Sequence, residues 1–196
     1  MVVGNLGIPV REEQAQTVLV VGAGQIGLLG VVAAKGCGAK QVVLSGVERD
    51  RDLRLPTGLK LGADFALDST VEDPVKKIME LTNGQGADIV LEASGAESGI
   101  NAAFAAVKPG GLLCVMGGTK RDSVSVNWDV CLKKAVRVHF HMMSNYEYMD
   151  DAIQIFANPY TDLSPLISHE YPLDRWQEAF DAMADGSSIK NGIYVD

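Results

Sequence analysis

Short apolar runs recur along the chain at intervals that suit an alternation of strands and helices. Those at 18–21, 42–44, 65–67, 89–91, 112–116 and 136–140 are nearly continuous in apolar residues rather than alternating. Such runs belong to parallel strands covered on both faces, where neither side of the pleat meets water. Helix-length connections separate the first four. One of them is well marked: Thr70, Asp73 and Pro74 stand at its start, Val75, Ile78, Met79 and Leu81 form an apolar stripe, and Asn83-Gly84 closes it. A later pair of helices, over 147–157 and 174–184, places Ile153, Phe156, Trp176, Phe180 and Met183 at helical spacing, which predicts core packing. Residues 192–196 read as a short terminal strand. The pattern predicts an α/β fold, a doubly wound parallel six-stranded sheet with helices on both faces.

The first strand runs directly into Gly22-Ala23-Gly24-Gln25-Ile26-Gly27, followed by a smooth small-residue helix start. A strand, a glycine turn and a helix N-terminus in that order suit a dinucleotide pyrophosphate. The first glycine permits the turn, the second lets backbone approach the phosphates, and the third allows close helix–strand packing. Gly22, Gly24, Gln25, Ile26 and Gly27 are therefore the expected pyrophosphate contacts, at the positive end of the helix dipole. Small residues recur at the ends of later strands, at Ser45-Gly46, Ser94-Gly95 and Gly117-Gly118. In an open parallel sheet these ends border the ligand crevice; each taken alone also reads as a turn. The sheet and fingerprint together predict a Rossmann-type domain. No repeat, low-complexity run or linker divides the chain, so 1–196 reads as one dinucleotide-binding domain with 1–16 as a lead-in.

A length of 196 residues suits one well-packed domain, and 47% hydrophobic with 21% charged residues is ordinary globular composition. The net charge of −8 argues against a nucleic-acid partner and reads as a solvated surface. Cys37, Cys114 and Cys131 lack metal or disulfide spacing, and Cys114 reads as a small buried hydrophobe. No apolar stretch is long enough to span a membrane, and no basic-then-apolar leader is present, so a soluble cytoplasmic protein is expected.

Further stretches stand in order along the chain: Leu61-Gly62-Ala63-Asp64, the run from Ala87 to Gly95, Lys108-Pro109-Gly110-Gly111, the run from Ile167 to Leu173, and Glu178-Ala179-Phe180. With the turn from Thr17 to Gly27, this series resembles the coenzyme half of the zinc-dependent medium-chain alcohol/polyol dehydrogenases, in the sorbitol (iditol) and threonine dehydrogenase branch. The likeness covers residues 10–196. The Gly-Ala-Gly turn resembles the zinc-dependent branch rather than the zinc-free quinone reductases. What the resemblance implies is an oxidoreductase that moves a hydride between a secondary alcohol or polyol and the nicotinamide, with zinc polarising the alcohol oxygen. It places zinc in an N-terminal catalytic domain, to which nothing in 1–16 corresponds. The expectation is thus a coenzyme domain that binds nucleotide without turning over substrate, with no catalytic residue and no metal ligand of its own. The resemblance also implies that Ala93, Ser94, Gly95, Met116, Gly117 and Gly118 flank the nicotinamide ribose, and that a homodimer pairs through an edge at Val124, Ser125 and Val126.

The acidic residue that binds the adenine ribose is expected about 20 residues beyond the glycine turn. Gly46 stands there, followed by Glu48, Arg49 and Arg51. Loss of the carboxylate removes repulsion against a 2′-phosphate, and a guanidinium pairs with one bidentately, which favours NADP over NAD. Glu48 in a shifted loop is the counterargument, and the arginines also suit a solvated loop face. The stretch from Gly46 to Leu61 is long, with Pro56 interrupting the expected helix. His169-Glu170 and the His139, His141 pair lack further ligands and read as non-metal positions. Two other readings remain: a stand-alone non-enzymatic or redox-sensing dinucleotide module, and a methyltransferase binding S-adenosylmethionine. The second is opposed by Ile26 at the place where its motif needs glycine.

Overall fold

Successive residues of a strand point to opposite faces of its sheet, and in β1 (Thr17–Val21) both faces are buried. Val18 and Val20 enter one apolar cluster, Leu19 and Val21 the other. The computed structural model describes residues 17–142, 146–159 and 161–195, so the expected lead-in at 1–16 lies outside them. After β1 the chain continues through α1 (Gln25–Gly36), β2 (Gln41–Gly46), a tight 3-10 turn (Glu48–Asp50), α2 (Arg54–Lys60), β3 (Phe65–Asp68), α3 (Pro74–Leu81) and β4 (Ala87–Glu92). It then forms α4 (Glu97–Ala106), β5 (Val107–Val115), α5 (Trp128–Lys134), β6 (Arg137–Phe140), α6 (Tyr146–Ala157), β7 (Ile167–Pro172), α7 (Trp176–Asp185) and β8 (Lys190–Tyr194).

Six strands form one parallel sheet in the order β3-β2-β1-β4-β5-β6. Leu28 and Val31 of α1 and Leu55 of α2 cover one face. Ile78 of α3 with Ala103 and Ala106 of α4 cover the other. This is the doubly wound α/β architecture expected from the apolar runs. β5 starts at Val107, earlier than the apolar run; its register with β4 shifts between the Ala87–Val107 and Ile89–Leu112 pairs, where Gly110 adopts a positive φ.

Several local expectations change. A second, two-stranded parallel sheet of β7 and β8 was not foreseen, because β7 mixes polar and apolar residues, most of them accessible. β8 also begins two positions before the expected terminal strand. Pro56 does not interrupt a helix: it falls in the first turn of α2, where a missing N–H leaves no bond unmade. Val124, Ser125 and Val126 form no strand of the sheet, whose two edge strands are β3 and β6. They are instead tied to α4, Ser125 O accepting from Asn101 Nδ2 at 2.9 Å and Ser125 N donating to Glu97 Oε2 at 3.2 Å.

The predicted core of the late helices is also corrected. Ile153, Trp176, Phe180 and Met183 are 45–59% exposed, the last three on one face of α7. Their spacing is amphipathic, but the inward positions are Ile155, packed against the main core, and the buried Ala179. Trp176 and Phe180 meet edge to face on the open side. The side chain of Phe156 lies outside the described residues.

At α3 the cap is Asp73, whose side chain accepts from Val75 N at 2.8 Å. Thr70 instead donates its hydroxyl to Asp68 Oδ1 at 2.6 Å. Asp73→Ala is expected to lower stability by about 1 kcal/mol, measurable as a lower urea midpoint at unchanged slope.

Candidate functional site

The strand order reverses between β1 and β4, and the loops leaving these two strands run to opposite faces. At that point a cleft of about 910 Å³ opens beyond the carboxyl ends of β1, β2 and β4. Gly22, Gly24, Ser45, Gly46, Arg49, Ala93 and Ser94, all picked out from the sequence, line it.

The three glycines of the first turn occupy different environments. Gly22 has φ +104°, donates to Ser45 O at 2.8 Å, and would bring a Cβ within 2.8 Å of Ser94 N. A Cβ at Gly27 would fall inside the Gly22 carbonyl oxygen. Gly24 caps α1, and a Cβ there would meet nothing within 4 Å. Two glycines thus build the turn, while the middle one faces open space at a helix N-terminus. No acidic side chain stands in the first turn of α1 to compete for its free N–H groups. Gln25 and Ile26 occupy that turn beside the cleft rather than on its wall.

At the carboxyl end of β4, the side chain of Glu92 is fully buried. Its Oε1 accepts from Ser94 N at 2.9 Å, Ser94 Oγ at 2.5 Å and Gly95 N at 3.0 Å. Its backbone oxygen accepts from Met116 N and Gly117 N. A Cβ on Gly95 would strike Gly118 O, so the turns after β4 and β5 touch through their backbones. Gly95, Met116, Gly117 and Gly118 are brought together there, but they do not line the cleft. Glu92 had no role in the sequence reading. Its signal was a carboxylate directly after the apolar run Ile89-Val90-Leu91.

The charged residues after β2 separate. Glu48 is exposed and off the cleft wall. Arg51 turns to Asp68, which accepts its Nε at 3.0 Å and also pairs with its Nη2. The Thr70 hydroxyl, the Thr70 backbone N–H and Arg51 hold the Asp68 carboxyl below its ordinary range. Arg49 remains at the cleft. Asp50 and Arg54, which sequence reasoning passed over, also line it.

Among the described residues no group of three His, Cys, Asp or Glu side chains is placed to hold a metal. His169 Nδ1 lies 3.0 Å from Ser168 Oγ. Cys114 is buried, and burial pushes its thiol up to about 11, so it is an inert hydrophobe as expected. No described helix is long and apolar enough to cross a membrane.

Residues 26–158 match the family model of the zinc-binding dehydrogenases. The chain is 33% identical to L-threonine 3-dehydrogenase of Thermococcus kodakarensis, over 89% of its own length and 50% of that protein's. It is 32% identical to D-arabitol-phosphate dehydrogenase of Enterococcus avium, over 91% and 50%. An alcohol dehydrogenase structure from Thermotoga maritima superposes with a TM-score of 0.85 at 27% identity, covering 95% of this chain and 52% of that one. The chain thus spans about half the length of the curated relatives it matches.

Proposed function

The chain belongs to the zinc-binding dehydrogenase family, and from that premise we propose that it is the dinucleotide-binding part of an NAD(P)-dependent dehydrogenase acting on a secondary alcohol or polyol. The observation that carries the reading is Gly24, open on its cleft side and set between two glycines that admit no Cβ. That arrangement brings backbone within reach of a pyrophosphate while the first-turn N–H groups of α1 point at it. When bound, the nicotinamide accepts or releases the hydride.

The work of these residues is holding and orienting. Gly22, Gly24, Gln25, Ile26 and Gly27 cradle the pyrophosphate, and Ser45 and Gly46 border the adenine ribose. Ala93, Ser94, Gly95, Met116, Gly117 and Gly118 support the nicotinamide end, their turns fixed by Glu92. Among the described residues the side chains do not fit a zinc site. We read the chain as a single dinucleotide-binding domain. A homodimer is proposed beside the Val124, Ser125 and Val126 segment, on the support of β6 as the outermost described strand on one side of the sheet and of the exposed Trp128 and Leu132 in α5 and Phe140 in β6. The relatives are named as dehydrogenases, which gives no support to a non-enzymatic module or to a methyltransferase.

Of the two dinucleotides NADP is favoured, because Gly46 offers no carboxylate at the end of β2 and Arg49 stands at the cleft. Calorimetric titration with NADP and with NAD under matched conditions is expected to show NADP binding about tenfold tighter. Equal binding or NAD preference removes the specificity reading; binding of neither removes the whole reading.

A further inference from the structure

The ribose end of the cleft holds a carboxylate after all, four residues beyond the strand end where one is looked for. A Cβ on Gly46 would come within 2.8 Å of Asp50 Oδ2 and 2.9 Å of Asp50 Cβ. Position 46 has no room for a side chain because Asp50, arriving from the tight turn after β2, already fills that space. Asp50 is 5% exposed. Its Oδ2 accepts from Val47 N at 2.9 Å and its Oδ1 from Arg54 Nη1 at 2.8 Å. Arg54 is held in turn by Ser188 O, which accepts its Nη2 at 2.9 Å, and its side chain is only 12% exposed. Its Nε is buried with no partner among the described residues. Both members of the pair line the cleft.

Resting on the dinucleotide reading above, we propose that the Asp50–Arg54 ion pair determines which dinucleotide the cleft accepts. A bare carboxylate beside the adenine ribose attracts the two ribose hydroxyls and repels a 2′-phosphate. Arg54 neutralises that carboxylate and takes up one of its acceptor oxygens. With Asp50 neutralised by Arg54, Arg49 stands at the cleft outside that pair and offers a cation to a 2′-phosphate, while the other lining carboxylate, Asp73, caps α3. The choice between NAD and NADP is then set by whether Asp50 is paired, rather than by the identity of residue 46 alone. The low dielectric of a buried pair makes the effect of unpairing large, since the partner's charge is no longer cancelled at short range.

The test is calorimetric titration of the wild-type chain, Arg54→Gln and Asp50→Asn with NAD and with NADP. Arg54→Gln strips the neutralising charge and is expected to lower the NADP-to-NAD affinity ratio about tenfold, chiefly through weaker NADP binding. Asp50→Asn keeps an acceptor for Val47 N, leaves Arg54 uncompensated, and is expected to raise the ratio by several-fold. Shifts in opposite directions cannot come from a damaged fold, which weakens both ligands together. Ratios that stay within twofold of wild type in both variants, or that move the same way, overturn the proposal while the dinucleotide reading stands. Failure of the wild-type chain to bind either ligand overturns the reading itself.

Discussion

Gly27→Ala is expected to lower stability by about 3 kcal/mol and to abolish dinucleotide binding, whereas Gly24→Ala leaves the fold intact and removes binding alone. A methyl at 27 has to occupy the space of the Gly22 carbonyl oxygen. That oxygen is backbone, fixed by a turn in which Gly22 has φ +104° and donates to Ser45. Relief therefore requires α1 to move away from β1, opening the contacts of Leu28 and Val31 with the sheet. At 24 the same methyl meets no protein atom within 4 Å and projects into the space assigned to phosphate. Denaturant unfolding and titration of both variants check the pair. Equal loss of stability in the two would mean that the glycines act through the chain's conformational freedom and not through their different surroundings.

The second large effect concerns Glu92. Its replacement by alanine is expected to reduce stability by about 3 kcal/mol and to weaken dinucleotide binding together with it. The change strands Ser94 N and Gly95 N, which now share one buried oxygen, and leaves a void between the ends of β4 and β5. Glu92→Gln keeps the accepting oxygen and places an amide where Oε2 is buried without a partner among the described residues. It is expected to retain most of the stability and binding. A glutamine variant as damaged as the alanine variant would show that the negative charge, not the acceptor, holds the turn.

The sheet was legible because burial on both faces leaves a signal in every strand: unbroken apolar runs at 18–21 and 42–44 have no other stable home. The glycine turn was legible because each of its glycines answers a separate steric demand. Periodicity misled for α7. It reports that Trp176, Phe180 and Met183 share a face, and says nothing of whether another surface covers that face. β7 was missed because its residues are half solvated and carry no apolar run. Asp50 and Arg54 were hidden for a related reason: the sequence pointed to Glu48, Arg49 and Arg51 by type and position, and nothing in it says that the tight turn buries Asp50 and leaves Glu48 in water. Arg54, the partner of Asp50, is itself held by a residue more than a hundred positions away, Ser188, which no local pattern reports.

The open faces of the late helices and of the sheet edge have a colloidal consequence. Trp128, Leu132, Phe140, Trp176 and Phe180 expose apolar surface, while a net charge of −8 makes copies repel one another on approach. Repulsion of that kind reaches only about 8 Å at physiological ionic strength and shortens as salt is added, whereas the attraction between apolar patches does not fade with it. Added salt is therefore expected to favour association of these molecules, the proposed pairing included.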